Sequence, residues 1–114
     1  METHKTLDKI AERAGDEANC TGRAYAAAEL ARQAGLWAER VTATSTQFGQ
    51  DITRTDREGR RKRANFHDVC LVHTPEGRFI IDPDSQKKVY SVEDYKRECF
   101  PYPNSVDIGP VNES

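Results

Sequence analysis

Apolar residues recur along this chain with two different periods. In residues 6–14, TLDKIAERA, they fall at Leu7, Ile10, Ala11 and Ala14, a spacing that predicts a helix, with Gly15 ending it. A second helix is predicted from an N-cap at Asn19 to about Ala34, where Gly35 supplies the stop. Cys20, Ala24, Ala27, Ala31 and Ala34 form one stripe of small residues on it, suited to close packing on a sheet. Past Gly35 the period drops to two. The β-branched alternation of WAERVTATST predicts a strand over Trp37–Ser45. Residues 49–65, GQDITRTDREGRRKRAN, read as a polar, charged connection. FHDVCLVHT and RFIID then predict two strands joined at Thr74-Pro75-Glu76-Gly77, which has good turn chemistry. SVEDYKREC predicts a short helix capped by Ser91, with Glu93 and Asp94 at its positive end. Residues 101–114 carry three of the five prolines and read as an irregular tail. Helices followed by strands, without a repeat, predict an α+β fold in which N-terminal helices pack on a small antiparallel sheet.

Composition narrows the class. At 114 residues the chain reads as one domain, 1–114, with a core that is small for its surface. A net charge of -2 and a pI near 5.9 give no overall push toward nucleic acid or anionic lipid. No run approaches the roughly 18 apolar residues of a membrane span, and no signal-peptide core follows Met1, so the chain is expected to be soluble. Three cysteines without a CxxC pair argue against a disulfide framework or a structural zinc site. No P-loop, dinucleotide fingerprint, EF-hand loop or zinc-deaminase signature is present. No metal or cofactor is expected.

Cys20 stands at the first turn of its helix. Unpaired backbone N–H groups and the positive end of the helix dipole favour a thiolate there. Such a nucleophile needs a base, and the base needs an orienting acceptor. His67 opens the apolar strand HDVCLV and is the preferred base over His4, near the terminus, and His73, beside the turn. The orienter is sought on the next strand. A plain four-residue turn sets Val69 opposite Asp82 and His67 opposite Asp84, whereas a bulge at Gly77 shifts the register by one. Asp82 is the preferred orienter, because Ile80 and Ile81 before it mark a buried position. Asp84 is a supporting residue. Cys70 and Cys99 read as core.

Cys20, Ala24, Leu30, Gly35, Ala38 and Val41, then His67 before a strand, then IIDPD, resemble the papain-like and transglutaminase-like superfamily. Within it the closest similarity is to the papain-fold toxins of bacterial polymorphic toxin systems, over roughly residues 17–100. NCTG at residues 19–22 also resembles the start of related cell-wall endopeptidases, but their second His is Asp82 here. The resemblance implies a papain-like minimal core and attack by Cys20 on an amide carbonyl, with His67 shuttling the proton and Asp82 holding the imidazole. Protein glutamine deamidation, peptide cleavage and transglutaminase-like transfer all fit. The Cys20 N–H and the Asn19 side chain are the expected oxyanion donors, since RAGDEAN lacks the Gln that papain-like proteases place before their Cys. A protein or peptide substrate, a dedicated immunity protein and delivery to the cytosol of a target cell are further implications.

The run RTDREGRRKR concentrates charge at Arg54, Arg57 and Arg60, Arg61, Lys62, Arg63. It reads first as a solvated connection, peripheral to the chemistry. The last four form an alternative docking patch for an acidic partner; nucleic acid is not favoured. Two rival functions remain: a non-catalytic binding module that uses this patch, and a nuclease-type toxin that uses His67, Asp68 and the arginines.

Overall fold

The computed structural model describes residues 3–110. In chain order the elements are α1 (Thr3–Ala14), α2 (Cys20–Gln33), β1 (Trp37–Ser45), β2 (Ile52–Thr55), β3 (Arg61–Ala64), β4 (Phe66–Thr74), β5 (Gly77–Ile81), β6 (Val89–Ser91), α3 (Val92–Cys99), a 3-10 turn (Pro103–Ser105) and β7 (Val106–Pro110). The fold is mixed α+β. Five strands form one antiparallel sheet in the order β6-β5-β4-β1-β7, and β2 and β3 form a separate two-stranded ribbon.

β4 is the central strand, and the reason lies in its composition. Val69 is buried on one side of it and Cys70 and Val72 on the other, which only a strand covered on both faces tolerates. On one face, Cys70, Val72, Ile81 and Ala38 meet Leu7, Ile10, Ala27, Ala28 and Ala31 of the two N-terminal helices. The alanine stripe of α2 lets its backbone lie close over the sheet. On the other face, Val69, Ile80, Val41 and Ala43 pack with Tyr95, Cys99 and Phe100 from α3 and beyond. Edge-to-face contacts join Tyr90, Tyr95 and Phe100 at centroid separations of 5.4 Å. Burying two faces of a small sheet stabilises it by roughly 25 cal/mol per Å² of apolar surface removed from water.

The 74–77 connection is the plain turn. Thr74 pairs directly with Gly77 and Cys70 with Ile81. Gly77 has φ +123°, open to glycine and hostile to other residues. The Thr74 hydroxyl fastens the turn by donating to the Gly77 carbonyl at 2.8 Å and accepting from the Glu76 N–H at 3.1 Å.

Two expectations are corrected. The polar connection 49–65 contains the β2–β3 ribbon, with Ile52 paired to Ala64 and Thr55 to Arg61. Its turn is organised by Asp56, whose Oδ1 accepts from the backbone N–H groups of Glu58 and Arg60, both at 2.9 Å. The 101–114 tail is not irregular over its described part: Val106–Pro110 pairs along the outer edge of β1, Val106 opposite Ser45 and Pro110 opposite Val41. A Pro ends a strand harmlessly at a sheet edge, where its missing N–H is not called on; residues 111–114 lie outside the described residues. The first helix begins at Thr3, three residues earlier than its apolar period predicts. No helix among the described residues is long and apolar enough to cross a membrane.

Candidate active site

Cys20 is the first residue of α2. Asn19 before it is extended (φ -141°, ψ 170°), and its side-chain oxygen accepts from the Gly22 N–H at 2.8 Å. That cap starts the helix at the thiol and leaves Cys20 half-exposed at the positive end of the dipole. It also commits the Asn19 oxygen as an acceptor, so only the amide nitrogen of that side chain remains for an oxyanion. Thr21 ties the turn to the sheet, its hydroxyl donating to Asp68 Oδ2 at 2.8 Å. Arg40 Nη1 reaches the same oxygen at 3.3 Å, with its guanidinium 4.4 Å above the Tyr25 ring.

His67 lies at the opening of β4, 2 % exposed. Strand alternation puts it on the face of Val69, with α3, while Asp68 turns to the α2 side. His67 and Asp68 therefore do not converge, contrary to what the nuclease reading requires. Asp82 follows the last residue of β5, where the chain leaves the sheet in a tight buried turn. Its N–H donates to the Lys88 carbonyl at 2.8 Å, and the Ser85 hydroxyl donates to its carbonyl at 2.6 Å. With the register set by the Thr74–Gly77 pair, the Asp82 carboxylate meets His67 diagonally across β4 and β5. Its Oδ2 lies 3.0 Å from His67 Nε2. The remaining ring nitrogen, Nδ1, is left for Cys20, whose thiol lies close enough to the ring for His67 to govern its ionisation.

Two residues beneath this chain support Asp82, and of them only Tyr95 is not singled out in the sequence. Tyr95, fully buried on α3, donates its hydroxyl to Asp82 Oδ2 at 2.7 Å. The Asp84 N–H donates to Asp82 Oδ1 at 3.0 Å. Asp82 thus accepts from His67, Tyr95 and a backbone amide. The only sequence signal for Tyr95 was its place on the apolar side of a short capped helix.

The electrostatics follow. The hydrogen bond with His67 is the largest influence on the Cys20 thiol; with help from the Asp68 backbone, the His67 charge and Thr21, it outweighs partial burial and lowers the pKa from 9.0 to about 7. Burial is the largest influence on His67 and favours the neutral ring, but the Asp82 charge and the hydrogen bonds of Asp82 and Cys20 together raise it from 6.5 to about 9. Burial also works against the Asp82 carboxylate, yet the facing His67 and the Tyr95 hydroxyl hold it below the usual carboxylate range. Between about pH 7 and 9 the pair therefore stands as thiolate and imidazolium. By contrast, burial pushes the Cys70 thiol up to about 12 and the Cys99 thiol up to about 11, which leaves both inert.

Asp84 does not face His67. Arg54 Nη2 binds its carboxylate at 2.7 Å and Arg54 Nη1 its carbonyl at 3.3 Å, with Lys62 at 3.8 Å and Arg57 at 3.9 Å. This buried pair latches the β2–β3 ribbon beside the thiol, which corrects the expectation that the whole basic run is a solvated connection. Arg60, paired with Glu58, and Arg61 and Arg63 are exposed. Lys62 lines the cleft and contacts Asp56 at 3.4 Å. The cleft, about 330 Å³, opens onto Cys20 and His67 between the ribbon and the start of α2. Among the described residues, no group of three or more His, Cys, Asp and Glu side chains is arranged to hold a metal ion.

Comparison of the chain with family models, with curated proteins and with solved structures finds no match.

Proposed function

We propose that this chain is a papain-like cysteine enzyme that attacks amide carbonyls, acting as a protein glutamine deamidase, peptidase or transglutaminase-like acyl transferase. The observation that carries the reading is the hydrogen-bonded line from His67 through Asp82 to Tyr95, with the half-exposed Cys20 thiol beside His67 in one cleft. A structural thiol and a structural histidine have no need of each other, nor of a buried carboxylate to hold the ring.

In the proposed reaction the Cys20 thiolate adds to the amide carbonyl carbon. The oxyanion that forms points toward the free N–H groups at the start of α2. Collapse of the adduct breaks the carbon–nitrogen bond as the His67 imidazolium gives its proton to the departing nitrogen, leaving a thioester on Cys20. His67, now neutral, takes a proton from water or from an incoming amine, which attacks the thioester and releases the thiolate. Asp82 keeps Nε2 hydrogen-bonded, so that Nδ1 faces the sulfur throughout. Tyr95, its hydroxyl pushed well above its usual 10.0 by burial, stays protonated and holds the carboxylate in place.

The resemblance to bacterial papain-fold toxins supports placing this activity in an effector delivered to a target cell's cytosol, with an immunity protein in the producing cell. Growth of cells expressing the parent, Cys20→Ala, and the parent with its neighbouring gene tests that setting. Rescue by both the substitution and the neighbouring gene is expected; equal toxicity of Cys20→Ala points instead to a binding module.

A further inference from the structure

The wall of the cleft next to Cys20 is cationic, and one of its cations is unspent. Arg23 lies three residues after Cys20 on α2, on the same side of the helix one turn along, and lines the cleft. It has no ion-pair partner among the described residues, and its Nε is enclosed without a hydrogen bond. Across the cleft, Arg54 is only 8 % exposed and its Nε is likewise enclosed and unpartnered. A buried donor left unmet costs about 1–3 kcal/mol, and such donors in native proteins call for an explanation.

The acids nearby do not answer it. Asp84 already draws on Arg54, Arg57 and Lys62. Asp56 is spent on its own turn and on Lys62, and Glu58 on Arg60. Only Ala18, Ala64 and Phe66 offer apolar lining, so an apolar side chain finds little to rest on.

Resting on the proposed amide chemistry, we infer that the cleft takes an acidic peptide segment, with Arg23 binding a substrate carboxylate beside the amide that Cys20 attacks. A guanidinium presents Nε–H and Nη–H as a planar fork that matches a carboxylate edge. One unspent guanidinium suits a carboxylate better than a phosphate dianion, which needs more than one free cation. Arg54, anchored by Asp84, is a positioning residue that fixes the opposite wall.

Alkylation of Cys20 by iodoacetate and iodoacetamide reads this directly, because the two reagents differ in a single carboxylate. The ratio of their rate constants reports the anion subsite, while their absolute rates report the thiolate. Arg23→Gln keeps a good helix former at the site. It is expected to lower the iodoacetate-to-iodoacetamide ratio about fivefold, the worth of one nearby charge in a watery cleft, and to flatten its dependence on salt. Arg23→Lys is expected to recover part of the ratio, through charge without the fork. An Arg23→Gln ratio equal to the parent's overturns the inference. Slow alkylation by both reagents counts instead against the proposed nucleophile, and the ratio still reads the subsite. In a second arm, blocked Glu-Gln and Gln-Gln dipeptides and inorganic phosphate compete with iodoacetamide. The acidic dipeptide is expected to protect Cys20 best, and less well in Arg23→Gln. Equal protection by Gln-Gln, or stronger protection by phosphate, overturns the choice of a carboxylate.

Discussion

Asp82→Asn isolates the electrostatic core of the site, because it removes a charge and keeps the shape. An Asn oxygen can still accept from the Tyr95 hydroxyl, which lies 2.7 Å from Asp82 Oδ2 in the parent. What is lost is the negative charge facing His67. His67 stands at about 9 against an ordinary 6.5 although burial opposes its charged form, a difference of about 3 kcal/mol. Without Asp82, burial and the Arg54 charge are opposed only by Cys20, and His67 becomes neutral at physiological pH. The Cys20 thiol then loses its cationic partner and returns from about 7 toward 9.0. At pH 7 a thiol titrating at about 7 is half ionised, and one titrating at 9.0 about 1 % ionised. Iodoacetamide should therefore alkylate Cys20 about 50-fold more slowly at pH 7 in the variant, with the rate–pH midpoint moved upward by about two pH units. Rates from pH 5 to 10, followed by mass spectrometry at the peptide carrying Cys20, give both numbers. A variant that keeps its fold and its midpoint near 7 refutes the role assigned to Asp82.

Cys20→Ala should cost 10⁴- to 10⁶-fold in turnover, the order seen for lost nucleophiles, with little change in thermal stability. In the parent, kcat/KM should rise as pH passes about 7 and fall beyond about 9, where His67 loses the proton it must deliver; a profile rising without limit to pH 10 contradicts the imidazolium. Because the folded pKa of His67 is raised, its contribution to stability is full below pH 6.5 and is lost as pH climbs through about 9, while the lowered Cys20 thiol gains stability between about 7 and 9 and offsets most of that loss in the parent; urea titrations should therefore show the decline in Cys20→Ala and not in the double variant Cys20→Ala/His67→Gln. Tyr95→Phe should destabilise the chain by about 1–3 kcal/mol, because Asp82 loses a buried donor. Arg54→Met should cost about 3 kcal/mol, the low end for breaking a buried pair, since Lys62 and Arg57 still stand 3.8 and 3.9 Å from Asp84.

Much of the fold is legible where burial is periodic. Trp37–Ser45 and Phe66–Thr74 span the residues that their patterns predict, because both strands carry core residues along their length. The ribbon is not legible: β3 presents Arg61, Lys62 and Arg63 to solvent, and a strand without a buried face gives no alternation. Nor is the inward turn of Arg54, which depends on Asp84, 30 residues away in sequence. β7 holds only Val106 and Ile108 between polar residues, Gly and Pro, so its state is decided by the free edge of β1. At the site, the spacing left Asp82 and Asp84 both open as partners for His67. The Thr74–Gly77 pairing keeps both on the His67 face, and the choice falls to Arg54, which draws Asp84 to the ribbon that the pattern hides and leaves Asp82 to His67. Tyr95 meets Asp82 only through tertiary packing, and neighbouring residues in the chain carry no sign of that contact.

The central claim is that Cys20 acts on amides, and one comparison tests it most directly. The parent and Cys20→Ala are incubated side by side with the same set of glutamine-containing peptides, acidic and neutral, and every product is weighed by intact-mass spectrometry. The parent alone should produce a gain of about one dalton, a cleaved chain or a crosslinked pair, together with a transient acyl adduct on the peptide carrying Cys20. Identical masses from the two proteins, with no adduct on Cys20, contradict the proposed chemistry.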